Sequence, residues 1–209
     1  MFHTDSMRPV LWLFPVIILT SACRNDVTET CRQFPYEQLR EGDLAFRRGS
    51  SILSDAVVYA EKQQGYSHVG IIVMQDSCWR VIHAVPGELE YKGDFERVKS
   101  EPLETFFSES RARHGELAHT GLKDTMLIRE LAGRCIRMAQ DSVRFDNKYN
   151  LADTSAVYCT EFVFLQYMAV GIDLTEGRRT RVNAPLISGE CILPEDIHEY
   201  GQLTSYYKY

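Results

Sequence analysis

Apolar positions come in short runs split by polar turns in the first half of the chain, and in longer helical patterns in the second. Leu44-Ala45-Phe46 follows the turn residues Gly42-Asp43 and reads as a short strand. Ile52, Leu53, Ala56, Val57 and Ala60 recur at helical spacing within 51–63, and Gly65 closes that helix. His68 to Met74 is an apolar, β-branched run, Gln75-Asp76-Ser77 a polar turn, and Trp79 to Val85 a second run ended by Pro86-Gly87. This pair predicts a β-hairpin. Further strands are expected at 95–99 and 116–123, with a short helix at 102–108. Asp124 is placed to cap a long helix reaching residue 143, with Leu127, Ile128, Leu131, Cys135, Met138 and Ala139 on one face. Residues 144–157 are polar and loop-like. Cys159 to Val170 predicts a second long helix, closed by Gly171. Its apolar residues, Phe162 to Val170, cover too much of its circumference for a surface helix, so it is expected at the centre. The tail reads as loop, with Pro194 opening a short helix. Strands first and helices clustered late give an α+β class, not a βαβ alternation.

The chain has 209 residues, 44% of them hydrophobic, enough for one domain with a sizeable core. Its N-terminus has the layout of an export signal spanning 1–22. Arg8 supplies positive charge, Pro9 to Leu19 is uncharged and apolar, and Thr20-Ser21-Ala22 are small. The run is shorter than the roughly 20 apolar residues of a spanning helix. Either Met1 or Met7 could start the chain. Leu19-Thr20-Ser21-Ala22-Cys23 resembles the lipobox of bacterial lipoproteins, departing from it at Thr20, where Leu is usual. That resemblance implies cleavage before Cys23 and a lipid on its thiol. Arg24 in place of an Asp resembles the outer-membrane destination. The chain is therefore expected in the cell envelope, as an outer-membrane lipoprotein facing the periplasm or the surface. Residues 23–35 would form the tether and 36–209 the domain.

The net charge of −6, with no basic run longer than Arg178-Arg179, excludes nucleic acid as a partner. Six cysteines contain no Cys-x-x-Cys pair, and no His-Glu-x-x-His segment exists, so neither a metal nor another cofactor is expected. With Cys23 lipidated, the odd remainder leaves at least one thiol without a disulfide partner. Cys31, Cys78, Cys135 and Cys191 stay open as disulfide candidates, their pairing unspecified.

Cys159 carries the candidate chemistry. The first N–H groups of a helix lack intrahelical partners, and the helix dipole favours negative charge there. Both stabilise a thiolate, the form that attacks a carbonyl carbon. A buried cysteine is otherwise a small core hydrophobe. His68 opens the first strand of the predicted hairpin. With the turn centred between residues 75 and 76, His68 and His83 sit opposite each other on one face. A second imidazole there can orient the first, as in a nucleophile–base–orienter triad.

Gly42-Asp43-Leu44, Ser67-His68-Val69-Gly70-Ile71 and Tyr158-Cys159-Thr160-Glu161-Phe162-Val163, in that order, resemble the permuted NlpC-like cysteine peptidases, the YaeF/YiiX group. Histidine before cysteine is the mark of the permuted branch. The resemblance covers about residues 36–200. It implies a circularly permuted papain-like fold, with a central helix on a small antiparallel sheet, and a catalytic set of Cys159, His68 and His83. The permuted branch commonly has Glu where His83 stands, and Glu88 is the substitute. The backbone N–H of Cys159, with Tyr149 or Tyr66, is expected to meet the oxyanion. The implied activity is an amidase or peptidase acting on a cell-wall peptide or an N-acyl, lipid-type amide. An acyltransferase with the same triad, or a non-catalytic binding lipoprotein, are the alternatives. Asp43 is expected to form a turn. Tyr206, Tyr207 and Tyr209 are expected to pack or fray, and Arg178, Arg179 and Arg181 to be solvated.

Overall fold

The computed structural model describes residues 33–60, 65–184 and 187–209. The expected export signal, the lipidation site Cys23 and the disulfide candidate Cys31 lie outside the described residues. In chain order the elements are β1 (Leu44–Gly49), α1 (Ile52–Ala60), β2 (His68–Gln75), β3 (Cys78–Val85), β4 (Arg97–Pro102), α2 (Leu103–Phe106), β5 (Ala112–His119), α3 (Thr125–Gln140), β6 (Arg144–Phe145), β7 (Ala156–Val157), α4 (Cys159–Ala169), β8 (Thr180–Ala184), β9 (Ile187–Cys191), α5 (Pro194–His198) and β10 (Thr204–Lys208). Eight strands form one sheet in the order β10-β5-β1-β2-β3-β4-β6-β7, antiparallel except for the parallel β6–β7 contact, while β8 and β9 pair separately. The class is α+β.

Both faces of the sheet are covered, which explains why β2 reads as a continuous apolar run. Val69, Ile71, Val73, Ile82 and Ala84 pack with Phe162, Val163 and Tyr167 of α4 and with Leu131 and Cys135 of α3. The other face, through Ala45, Ile72 and Val81, meets Leu103 and Phe106 of α2, Phe107 and Phe34. Phe34 is buried with its ring 5.4 Å from Phe107, so packing begins just ahead of the expected start at Tyr36. The carboxylate of Asp124 caps α3 by accepting from the N–H groups of Met126 (2.8 Å) and Leu127 (3.2 Å). Helix α4 is buried on most sides and stops at Gly171, whose φ of +81° suits a residue without Cβ. No described helix is long and apolar enough to cross a membrane.

Two expectations need correction. In the hairpin Gln75 pairs with Cys78, leaving a two-residue turn, Asp76-Ser77, with both φ positive at 51° and 61°. Such mirrored turns match the twist of the strands they join. The register therefore moves by two, and continued beyond the Ile71–Ile82 pair it brings His83 across from Gly70 and Val85 across from His68. An even shift preserves parity, so the two histidines stay on one face, as diagonal rather than direct neighbours. The tail is also more ordered than its sequence pattern suggests. β10 completes the sheet against β5, and the Tyr206 ring stacks on His119 at 4.1 Å. The Tyr206 hydroxyl donates to Asp43 (3.0 Å), which also accepts from the Arg40 N–H (2.8 Å) and contacts His119 Nδ1 (2.8 Å). Asp43 thus ties the start of β1 to β5 and β10.

Candidate active site

A cavity of about 220 Å³ opens at the end of the sheet where β1 and β3 finish and β2 and α4 begin. Cys159 and His68 both line it, although α4 and the histidines lie on opposite faces of the sheet. Only at the strand ends can the two faces share a wall.

Cys159 is the first residue of α4 and is 8% exposed. The helix tip is held from several directions. Glu161 accepts from the Tyr158 N–H at 3.4 Å, the Tyr158 hydroxyl accepts from the Ile192 N–H at 3.0 Å, and the Thr160 hydroxyl donates to the Ile192 carbonyl at 2.6 Å. These bonds pin the β9–α5 connection onto α4 and bring Leu193 and Pro194 into the cavity wall. Burial pushes the Glu161 carboxyl up to about 7, against the hydrogen bond from the Tyr158 N–H.

The sheet face opposite α4 carries a row of polar side chains, one or two from each of four successive strands. Arg47 on β1 pairs across from His68 on β2. His68 Nε2 lies 2.7 Å from His83 Nδ1 on β3. His83 Nε2 lies 3.2 Å from Glu101 Oε2 on β4, and Arg111 donates to both Glu101 oxygens at 2.6 and 2.8 Å. The Arg47 guanidinium sits 4.5 Å over the Phe106 ring, donates to the Phe106 carbonyl at 2.7 Å, and pairs with Glu88. The two imidazoles pack on the same Phe106 ring. Burial, then the Arg47 charge and His83, lower the His68 pKa well below its ordinary value. His83 is also lowered, chiefly by burial, with Glu101 opposing. Burial would raise the Glu101 carboxyl, but the hydrogen bonds and charges of His83 and Arg111 hold it well below the usual carboxylate range. Two neutral imidazoles thus stand in front of an ionised carboxylate.

Of the other expected site residues, Tyr149 lines the cavity. It is buried with φ +54° and its ring 5.0 Å from Tyr158. A positive φ is uncommon for an aromatic residue. Asp146 holds it by accepting from the N–H groups on either side, Lys148 (2.8 Å) and Asn150 (2.6 Å). Tyr66 does not belong to the cavity wall. Its hydroxyl donates to Glu116 at 2.5 Å, within a cluster completed by His198 and Lys208, so its expected oxyanion role is corrected. Glu88 lines the cavity but pairs with Arg47 and Arg111, not with an imidazole. Cys135 and Cys191 are buried, Cys78 is exposed, and none of the three is in a disulfide. Glu101, Arg111 and Arg47 are the residues sequence reasoning missed. The available signal was Lys99-Ser100-Glu101, two charges of equal parity in a strand next to the hairpin.

No family model matches the chain. No curated protein matches it. Among solved structures, its mixed α+β architecture is shared. The metalloprotein YiiX from Escherichia coli O157:H7 superposes with a TM-score of 0.66 and 21% identity, over 82% of this chain and 98% of that one. The chain is thus similar to YiiX in fold, consistent with the resemblance to that group. YiiX is described as a metalloprotein. Among the described residues, no group of three or more His, Cys, Asp or Glu is placed to hold a metal ion. His68 Nε2 and His83 Nδ1 are 2.7 Å apart. Two nitrogens about 2.0–2.1 Å from one tetrahedral metal lie roughly 3.3 Å apart. These side chains fit a hydrogen bond and not a shared metal.

Proposed function

We propose that this chain is a cysteine hydrolase of the permuted papain-like type, cleaving an amide through an acyl-enzyme on Cys159. The observation that carries the reading is one cavity lined by a cysteine at a helix tip and by a histidine backed by a second histidine. His68 uses Nε2 on His83, which leaves Nδ1 as the base for the cavity. In the first step Nδ1 takes the Cys159 proton and sulfur bonds to the carbonyl carbon. The oxyanion is met by the Cys159 N–H, with the Tyr149 hydroxyl as second donor. His68 then protonates the leaving nitrogen as the C–N bond breaks, and water attacks the thioester.

The wall around these groups supports a substrate with an apolar acyl part. Val57, Val85, Phe145, Leu193 and Pro194 line the cavity, and its two cations, Arg47 and Arg111, are balanced by Glu88 in the wall and by Glu101 behind it. An N-acyl, lipid-type amide suits such a wall better than a multiply charged cell-wall peptide, since the site holds little surplus charge for the latter. The signal-like N-terminus and the lipobox-like segment at Cys23 support a place in the cell envelope, with a lipid as the membrane tether. The test is turnover of N-acyl amides and of muropeptides by the purified protein and by Cys159→Ala. The reading expects acyl-amide cleavage that Cys159→Ala abolishes while the melting curve stays close to wild type. Cleavage retained in that variant overturns it.

A further inference from the structure

We infer that Glu101 is a positioning residue of the catalytic set, fixing through His83 which nitrogen of His68 is bare toward the cavity. Neither the resemblance nor the sequence reading assigns Glu101 a role. The inference deepens the proposed function and rests on Cys159 and His68 acting as nucleophile and base.

The logic is one of donors and acceptors. An ionised carboxylate only accepts, and a neutral imidazole has one N–H and one lone pair. Arg111 bonds both Glu101 oxygens, at 2.6 and 2.8 Å, which keeps the carboxylate charged although it is almost wholly buried. His83 Nε2 lies 3.2 Å from Glu101 Oε2 without the alignment of a hydrogen bond, so the carboxylate acts on it through its charge, which favours the tautomer with the proton on Nε2. That leaves His83 Nδ1 as a lone pair. His68 Nε2, 2.7 Å away, must donate to it, so His68 Nδ1 is left unprotonated. Without Glu101 the two-histidine contact is symmetric in this respect. Either ring could donate, and half of the arrangements put a proton on the nitrogen that has to receive one from Cys159. The carboxylate also stabilises the imidazolium that forms when His68 is protonated, by compensating charge in a buried place.

Charged and titratable groups surround the pair on every side. Arg47 comes from β1, Glu88 from the β3–β4 connection, Lys99 and Glu101 from β4, Arg111 from the segment before β5, and Cys159 from α4. Lys99 is occupied by the Glu88 carbonyl, Asp94 (3.3 Å) and Glu90 (3.4 Å). Arg47 is occupied by Glu88. Glu101 is the carboxylate in contact with His83.

The direct test is the two-bond ¹H–¹⁵N correlation spectrum of the ¹⁵N-labelled protein at neutral pH, which reads each histidine's tautomer without substrate. The inference expects His68 and His83 both neutral and both protonated on Nε2. A His68 protonated on Nδ1 overturns it, together with Nδ1 as the base. The acyl-enzyme on Cys159 is judged separately by turnover, and missing turnover beside the expected spectrum would sink the hydrolase reading alone. In Glu101→Gln the inference expects a mixed His68 tautomer, and kcat lower by about 10- to 100-fold with KM little changed, the scale of losing a group that orients a functional histidine. The acid limb of the kcat/KM profile should move to lower pH, because the carboxylate that favours protonated His83 is gone. Unchanged tautomers and an unchanged profile in a folded Glu101→Gln overturn the inference. If that variant does not fold, the wild-type spectrum decides alone.

Discussion

Gly70 offers a sharp perturbation, because it lies across from His83 on the face that carries the histidine pair. A Cβ added there would come within 2.5 Å of Val81 Cγ1, 3.0 Å of His83 Cβ and 3.0 Å of the Ile82 carbonyl oxygen. Comfortable carbon contacts lie at about 3.5–4.0 Å, so roughly 1 Å must be found against Val81 and half that against His83. Turning Val81 does not suffice, since the Ile82 oxygen is backbone. Overpacking of this kind costs about 1–3 kcal/mol, which for a domain of this size lowers Tm by about 2–4 °C per kcal/mol. Gly70→Ala should therefore melt about 2–12 °C below wild type by circular dichroism. His83 should also be pushed off the 2.7 Å contact with His68 by about half an ångström; a misplacement near 1 Å can cost about 100-fold, so a fall of about 10-fold in kcat is expected. The assay is a melt and a kcat measured on one preparation. A variant that melts lower yet keeps its kcat would refute the claim that Gly70 makes room for the histidine pair. One that neither melts lower nor loses kcat would refute the register.

Two further outcomes follow from burial and charge. Iodoacetamide on the native protein should modify Cys159, and exposed Cys78, but spare Cys135 and Cys191, whose thiols are buried and pushed up, Cys191 to about 11. His68→Ala should slow modification of Cys159 and leave Cys78 unchanged, as peptide mapping would show; equal slowing of both would contradict the base role. Glu161 ionises at about 7 in the fold, against 4.5 for its ordinary value. The unfolded chain loses that proton first, so this group's contribution to stability is complete below pH 4.5 and is lost as pH rises to about 7. Urea melts at pH 5 and pH 8 should show a larger fall for wild type than for Glu161→Gln, and an equal fall would rule the buried carboxyl out as the cause.

The hairpin, the capped helix α3 and the helix starting at Cys159 were legible because each has a local cause. These are β-branched runs around a polar turn, an Asp at an N-cap, and an apolar segment closed by Gly171. The placement of Cys159 and His68 was legible for the same reason, each standing at the first residue of such an element. The pairing register was not, because Gln75 can be read either as turn or as strand. Only the positive φ at Asp76 and Ser77 settles it. Glu101 and Arg111 were hidden because their partners come from other strands, and no local pattern marks a carboxylate that an Arg from another segment will neutralise. Strand β10 escaped for a related reason. Thr204 to Lys208 have little apolar alternation, and their order comes from β5 and from Asp43. Tyr66 misled through its nearness in sequence to His68, although Glu116 claims its hydroxyl.

The measurement closest to the core of the account is intact-mass analysis of the protein quenched in acid during turnover of an N-acyl amide, with peptide mapping of any adduct. The account predicts an added acyl mass on Cys159 in wild type, absent from Cys159→Ala and scarce in His68→Ala. Turnover without an adduct that survives in Cys159→Ala, or an adduct mapped to another side chain, would contradict it.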